Sequence, residues 1–165
     1  MLSTKRIRKA PDDKLLALIR EAYTERNNRS NREPWRDIQD QIEWRIRRLA
    51  GSGNVTLLEE LILDRDLEYK TALTCIATLF SHTLDETDGI DELRGRILED
   101  FIAERLSTGD VSFEFVRLAC TLTPEAQKKY GFEVYTTENG SDEPDGHVTW
   151  ETTHVRWRDR YYYYP

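Results

Sequence analysis

The sequence predicts a mainly helical α+β fold, in which five to seven helices are followed by a small C-terminal antiparallel sheet. Up to Gly131, apolar residues recur at helical spacing between polar breaks. After Gly131 the pattern changes to alternation, as in Phe132 and Val134, and turn-forming residues become frequent. The length of 165 residues is typical of one domain. We expect a single domain over residues 1–165, with a basic flexible arm at 1–10, a helical part at 11–130 and a β-meander at 131–165.

Two helices are predicted after the basic arm. The first begins near Pro11, because proline and the acids that follow it suit the first turn of a helix. The second runs from Pro34 to about Ala50, with Gly51 as its stop. The apolar residues of this second helix form a regular amphipathic stripe, which consists of Trp35, Ile38, Ile42, Ile46 and Leu49.

The middle of the chain predicts further helices separated by short breaks. Residues Thr56–Glu59 match a capping box, so a helix is expected to start there. Residues 67–82 are apolar with few charges, so we expect the most buried helix in this stretch. Three more helical segments are expected at 90–106, 111–122 and 124–131.

Three strands are predicted in the C-terminal part. The first covers residues 132–136 and is followed by a turn-rich acidic loop, the second includes Val148 and Trp150, and the third covers residues 154–163. The apolar residues of the third strand have the opposite phase to those of the second, and a shift of one residue turns side chains to the other face. We therefore expect a bulge or tight turn near Glu151–Thr153.

Charge is segregated along the chain, which is acidic overall with a net charge of −7. With histidine neutral, residues 1–50 carry a net charge of +5, residues 51–153 carry −14 and residues 154–165 carry +2. This segregation predicts surfaces of opposite charge, which either meet each other in the fold or contact partners. The acidity of the long middle segment disfavours strong binding to duplex nucleic acid, because phosphates repel it.

Several functional classes lack their sequence signatures here. No nucleotide-binding glycine loop, serine-hydrolase motif or zinc-protease motif is present, so we expect a non-catalytic protein without a cofactor. His82, His147 and His154 lack the spacing of a zinc site, and the acidic loops do not fit an EF-hand, so no metal site is predicted. No membrane span or secretory signal is recognisable. With Cys75 and Cys120 interpreted as reduced core residues, these features favour a cytoplasmic protein.

The acidic residues lead to the first hypothesis about function. An acidic, motif-free domain of this size suits an inhibitor or immunity-type protein of a phage or bacterium, such as an anti-defence or toxin-neutralising protein, that occludes a basic site on a protein target. The first-choice contact residues are Asp85, Glu86, Asp88, Asp91 and Glu92. The second-choice contact residues are Asp142, Glu143 and Asp145.

Trp44 is a further candidate for contact with a partner. It lies on the side of its predicted helix opposite the buried stripe, together with Asp37, Gln41 and Arg48. An exposed tryptophan flanked by arginine is typical of a binding hot spot. Alternatively, another element of the domain covers this side of the helix.

The alternative hypothesis is a nucleic-acid-binding or complex-assembly subunit. If residues 154–163 form one extended strand, alternate side chains form a cationic row on one face. That row can follow a phosphate backbone while neighbouring tyrosines stack on bases. The residues expected on this face are His154, Arg156, Arg158, Arg160 and Tyr162.

The basic arm offers additional cations for the same alternative. Its charged residues are Lys5, Arg6, Arg8 and Lys9. Four cations at a chain end also occur simply because they keep a surface solvated. For the strand, internal pairing is the competing explanation, because Glu133, Glu138 or Glu151 can lie across the sheet from the arginines.

Overall fold

The structure, a computed structural model of the chain, describes residues 2–26, 34–81, 89–106 and 111–165. Within these residues, eight α-helices precede a three-stranded antiparallel sheet. The predicted α+β class is therefore confirmed, with one helix more than the expected range. The helices are α1 (Thr4–Lys9), α2 (Leu15–Glu25), α3 (Trp35–Ser52), α4 (Val55–Leu63), α5 (Tyr69–Leu79), α6 (Ile90–Arg105), α7 (Ser112–Thr121) and α8 (Pro124–Lys129). The strands are β1 (Phe132–Glu143), β2 (Gly146–Trp157) and β3 (Arg160–Tyr164).

The backbone forms two compact units, Met1–Phe101 and Ile102–Pro165. The chain passes from the first unit to the second within α6. The first unit holds α1 to α5 and most of α6, and the second holds α7, α8 and the sheet. The organisation of residues 1–165 as a single domain stays a prediction.

Helix α3 organises the first unit, because it packs against α1, α4 and α5. Four residues of its predicted apolar stripe are buried, whereas Trp35 at the start of the helix is half-buried. The amphipathic pattern therefore identified the buried face of α3 correctly. The four buried members of the stripe are Ile38, Ile42, Ile46 and Leu49.

The junction between α3 and α4 differs from the prediction by one or two residues. Helix α3 continues past Gly51, and Gly53 closes it with a left-handed backbone (φ 70°) that glycine adopts without strain. Helix α4 then begins one residue before Thr56. Its cap is Asn54, whose side chain accepts a hydrogen bond from the Leu57 amide (3.3 Å).

The N-terminal segment is helical, whereas the sequence predicted a flexible arm over residues 1–10. The Ser3 side chain caps α1 by accepting a hydrogen bond from the amide of Arg6 (3.2 Å). Leu2 and Ile7 are buried, so these two apolar residues anchor the segment. The sequence prediction rested on its cations alone. The basic residues of this segment therefore belong to an ordered helix.

Most residues of helix α5 are buried, which confirms the prediction of the most buried helix in this stretch. A buried arginine forms hydrogen bonds with carbonyl groups at the C-terminal end of α5. The Arg94 Nε group donates to the Leu79 carbonyl (2.8 Å), and its Nη2 group donates to the Ser81 carbonyl (3.0 Å). The guanidinium also lies 5.4 Å from the centre of the Phe80 ring. Arg94 thus satisfies carbonyls that the end of a helix leaves unpaired, a role that the sequence analysis missed.

The sheet of the second unit is an antiparallel meander in the order β1-β2-β3, as predicted. Strands β1 and β2 pair residue by residue, from Phe132 opposite Trp157 to Glu143 opposite Gly146. Residues 139–146, predicted as a loop, are thus mostly strand. The pairing is continuous, so the bulge expected near residues 151–153 is absent.

The segment predicted as the third strand, residues 154–163, is two strands joined by a tight turn. The chain reverses at Arg158 and Asp159, and Arg160 lies opposite Trp157. This reversal shifts the phase of the residues after the turn by one position. Val155 and Trp157 consequently share a face with Tyr162, a residue that the sequence predicted on the face of the arginine row.

Phe115 of α7 is the centre of the aromatic cluster beneath the sheet. The centre of its ring lies 6.2 Å from that of Phe132, 6.1 Å from that of Trp157 and 4.2 Å from that of Tyr162. Val155 between them is fully buried. The face of the sheet that carries these residues is the inner face, and the opposite one is the outer face.

The substitution Ile76→Ala tests the core of the first unit. Ile76 is fully buried in α5, so we expect a loss of about 2–5 kcal/mol in the free energy of unfolding from lost burial and the cavity. Urea denaturation followed by circular dichroism measures this loss. The control is Ala77→Ser at an exposed position of the same helix, with an expected change below about 0.5 kcal/mol. An equally small change for Ile76→Ala would show that α5 is peripheral.

Candidate functional site

The β1–β2 hairpin continues beyond the third strand. Strand β3 ends opposite Thr153, so residues 137–152 form a two-stranded ribbon, here named the hairpin extension. Its seven residue pairs, at about 3.4 Å per residue, give a length of roughly 24 Å. Every residue from Glu143 to Glu151 is exposed. Because an isolated two-stranded ribbon is marginally stable in water, the three-stranded part of the sheet supports this extension.

The outer face of the hairpin extension exposes two apolar side chains. Val148 is 49% exposed and Trp150 is 42% exposed. They lie opposite Ser141 and Asn139, and the continuous register keeps them on the face opposite Val155. The change of phase between the apolar residues around 148–150 and those around 155–157 therefore does not reflect a bulge. It reflects the position of Val148 and Trp150 on the exposed face of a continuous strand.

The hairpin extension is strongly acidic. Residues 137–152 contain five acids and no lysine or arginine. Glu138 lies directly opposite Glu151, an arrangement that destabilises a sheet when the charges are alike. Among the described residues, neither of these two glutamates has a cationic partner. Asp142 is paired with His147, whose Nδ1 lies 2.8 Å from its Oδ1.

The second-choice acids of the sequence analysis all belong to this ribbon. Asp142 and Glu143 lie at the end of β1, and Asp145 lies in the turn that follows. The Glu143 carboxylate accepts a hydrogen bond from the Ser141 hydroxyl (3.3 Å). Whether these acids contact a partner stays a prediction.

The first-choice acids are only partly covered by the structure. Asp85, Glu86 and Asp88 lie outside the described residues. Asp91 and Glu92 are exposed in the first turn of α6, where carboxylates favour the helix dipole. An Asp91 oxygen lies 3.7 Å from Arg94 Nη1, so this acid also has a structural contact.

The outer face of the three-stranded part carries stacked rings. The His154 ring centre lies 4.7 Å from that of Tyr135 and 5.9 Å from that of Tyr161, with nearly parallel planes. Tyr163 lies beside them, with its ring centre 6.2 Å from that of Tyr161. The Arg156 guanidinium lies 5.6 Å from the centre of the Tyr161 ring. An exposed, ordered aromatic surface therefore adjoins the hairpin extension on the same face.

His154 also links two hydroxyl groups on this surface. Its Nδ1 lies 2.6 Å from the Tyr161 hydroxyl, and its Nε2 lies 2.7 Å from the Thr137 hydroxyl. The pair of Thr137 and His154 has the spacing of a nucleophile and its base. Desolvation raises the pKa of Tyr161 above its usual value, so this third group is neutral at pH 7 and lacks the charge with which a carboxylate stabilises an imidazolium.

The two cysteines differ in their surroundings. Cys75 is buried, as predicted, and burial raises the pKa of its thiol far above the usual range. Cys120 was also expected in the core but is exposed on α7. Partial burial raises the pKa of the Cys120 thiol as well, so both thiols are mainly protonated at neutral pH.

The arginine row predicted for one face does not exist. Arg156 is on the outer face, whereas Arg158 lies in the turn with its guanidinium 4.4 Å from the centre of the Trp157 ring. Arg160 and Tyr162 have register positions on the inner face, where Tyr162 stacks on Phe115. The prediction was wrong because the two-residue turn reverses the chain between Arg156 and Arg160.

Trp44 is exposed to 38% on α3, as the amphipathic pattern indicated. The Arg48 guanidinium lies 4.7 Å from the centre of its ring, and that of Arg8 in α1 lies 5.9 Å away. Trp44, Arg8, Asp37 and neighbouring residues line a pocket of about 460 Å³. Helix α1 thus borders Trp44 without covering it, and its role in binding stays a prediction.

Comparison of this chain with models of known protein families, with curated proteins and with solved structures finds no match. Within the described ranges, no helix combines the length and apolar character needed to cross a membrane. In the same part of the chain, no cluster of three or more His, Cys, Asp or Glu residues is arranged to hold a metal ion.

Trp150→Ala and Trp157→Ala compare two tryptophans of the same strand. We expect Trp157→Ala to cost about 3–5 kcal/mol in the free energy of unfolding, because Trp157 packs on Phe115 and donates to the Tyr130 carbonyl (3.1 Å). Trp150→Ala should cost less than about 0.5 kcal/mol, because its side chain is exposed. Urea denaturation of both variants measures the difference. Equal losses would place Trp150 in the core and remove it from the candidate surface.

Proposed function

We propose that this chain is a non-catalytic binding protein that uses its hairpin extension to occupy a basic surface on a protein target. The observation that carries this proposal is one exposed ribbon that combines Trp150 with five acids and no lysine or arginine. The acids select a cationic partner, and the tryptophan supplies apolar contact area. We further propose that occupation of the basic surface inhibits the target, as an immunity-type protein does.

The charges of the ribbon support a cationic partner. Glu138 and Glu151 face each other, and Asp142, four residues further along β1, adds a third carboxylate on the same face, which is the one opposite Trp150. Lysine or arginine side chains of a partner would remove the repulsion between these groups on binding. The same charges would speed association, because complementary potentials steer the encounter of two proteins.

The apolar side chains support a protein as the partner. Tryptophan, tyrosine and arginine are the residues enriched in binding hot spots. Trp150, Tyr161, Tyr163 and Arg156 all lie on the outer face. A phosphate backbone would be repelled by the acids of the ribbon, whereas a basic protein partner that contacts both faces of the ribbon can accept the acids and the rings.

Affinity capture from a cell lysate tests the proposal with three forms of the full chain. The forms are the wild type, an extension variant with Asp142→Asn, Glu143→Gln and Asp145→Asn, and a control with Asp13→Asn, Glu60→Gln and Asp66→Asn. The control removes the same number of charges from exposed positions of the first unit. Proteins captured by the wild type are identified by mass spectrometry, and their dissociation constants are then measured by calorimetry.

We expect basic proteins to bind the wild type and the control with similar affinity. The extension variant should bind at least about tenfold more weakly, because three charge-assisted contacts are lost. Equal affinity of all three forms for a purified partner would overturn the proposal. Thermal unfolding of each form checks that the losses do not reflect unfolding.

A second candidate function is binding of single-stranded nucleic acid, which the stacked outer face favours. Tyr135, His154, Tyr161 and Tyr163 offer flat rings to unpaired bases, and Arg156 can contact a phosphate. Against this candidate, the sheet carries more acids than arginines from residue 132 to the end of the chain.

Fluorescence anisotropy with single-stranded DNA and RNA oligonucleotides separates the two candidates. Under the first proposal, the oligonucleotides either do not bind or bind equally well to the wild type and to the Arg156→Glu variant. The second expects Arg156→Glu and Tyr163→Ala to weaken binding, with an affinity that falls steeply as salt rises because phosphate contacts release counterions. If Arg156→Glu abolishes oligonucleotide binding in a folded chain, and the extension variant retains every protein contact, the first proposal is wrong.

A further inference from the structure

A groove with a volume of about 650 Å³ lies between α1 and α2 of the first unit. This volume is in the range of sites that bind small molecules. Its apolar lining includes Pro11, Ala17 and Leu18. Among the described residues, its charged lining consists of four cations and one acid, namely Lys5, Arg6, Lys9, Lys14 and Glu21. The groove is therefore a cationic site in a chain that is acidic overall.

Two acids near this groove, Glu21 and Asp12, are already paired. The Glu21 carboxylate accepts a hydrogen bond from Arg6 Nη1 (2.5 Å), and the Asp12 carboxylate accepts one from Arg45 Nη2 (2.7 Å). In the part of the chain that the structure describes, no carboxylate lies within ion-pairing distance of the three lysines of the groove. Their charge is thus available to a ligand.

The groove is formed by an ordered helix. Leu2 and Ile7 are buried on the other side of the cationic residues, and Arg45 Nη2 donates to the Ala10 carbonyl (2.7 Å) at the end of α1. Lys5 and Lys9 are separated by one helical turn, where like charges repel each other. The fold therefore holds unneutralised lysines close together at a cost in stability, which a bound anion would remove.

We propose that this groove binds a small molecule with two or more phosphate groups. The phosphates would contact Lys5, Lys9 and Lys14, and the uncharged part of the ligand would lie on Ala17 and Leu18. The lysine ammonium is a compact charge that binds phosphate oxygens without a fixed geometry. Two phosphate groups supply enough negative charge to neutralise three lysines. The described residues that line the groove include no aromatic side chain to stack on a base, which favours a small phosphate compound over nucleic acid.

Isothermal titration calorimetry of the full chain with sodium tripolyphosphate at low ionic strength tests this proposal. The groove variant carries Lys5→Gln, Lys9→Gln and Lys14→Gln. The control variant carries Arg36→Gln, Lys128→Gln and Lys129→Gln, which removes the same charge from positions outside the groove. We expect the dissociation constant to rise at least about tenfold in the groove variant and to stay within about twofold in the control. The amide resonances of Ala17 and Leu18 should shift on titration.

Three results would overturn the proposal. The first is equal weakening in both variants, which would indicate attraction by net charge alone. The second is binding of citrate as tight as that of tripolyphosphate, which would remove the preference for phosphate. The third is a single-stranded oligonucleotide that binds more tightly than tripolyphosphate and depends on the same lysines, which would assign the groove to nucleic acid. The extension variant of the hairpin should retain tripolyphosphate binding, so this test is independent of the proposed protein partner.

Discussion

The packing of Phe115 against the sheet is the contact on which the candidate surface depends. Phe132, Trp157 and Tyr162 come from three different strands, and all three pack on this one ring. A shift of one residue in any strand would turn its aromatic residue away from Phe115 and expose it to water. The cluster therefore fixes the register of β1, β2 and β3 together. That register decides which residues are left on the outer face and along the hairpin extension.

The two proposed sites follow from the segregation of charge along the sequence. The basic N-terminal part supplies a cationic groove on α1 and α2, and the acidic C-terminal part supplies a ribbon without lysine or arginine. Each site also has apolar residues, Leu18 in the groove and Trp150 on the ribbon. In both proposals, charge would select the class of ligand and apolar contact area would supply affinity. Under the two proposals, the chain would bind a cationic partner at the ribbon and an anionic ligand at the groove.

Helical periodicity predicted the helical part of the fold well, because a buried stripe such as that of α3 repeats over several turns and tolerates errors at the ends. The sheet was predicted less well. Alternation correctly placed Phe132 and Val155 in strands, but a change of phase can result from a bulge, a turn or plain exposure, and the pattern does not distinguish them. The sequence did not predict the turn at Arg158, because arginine rarely adopts a positive φ (56° here) and glycine or asparagine usually marks such turns. The hairpin acids were already candidates from the sequence, whereas the exposure of Trp150 on the outer face became visible only from the register.

The hairpin extension has a consequence for how this chain behaves at high concentration. Over residues 137–152, the two strands of the extension pair with each other, and among the described residues no third strand pairs with either of them. The backbone N–H and C=O groups at both edges of the ribbon therefore lack strand partners. Unpaired strand edges can form hydrogen bonds with a second copy of the chain, and such pairing promotes aggregation. The five carboxylates give every copy the same negative charge along both edges, so identical ribbons repel each other. The residues that would attract a basic partner thus also oppose self-association of the chain, and this repulsion weakens as added salt screens the carboxylates.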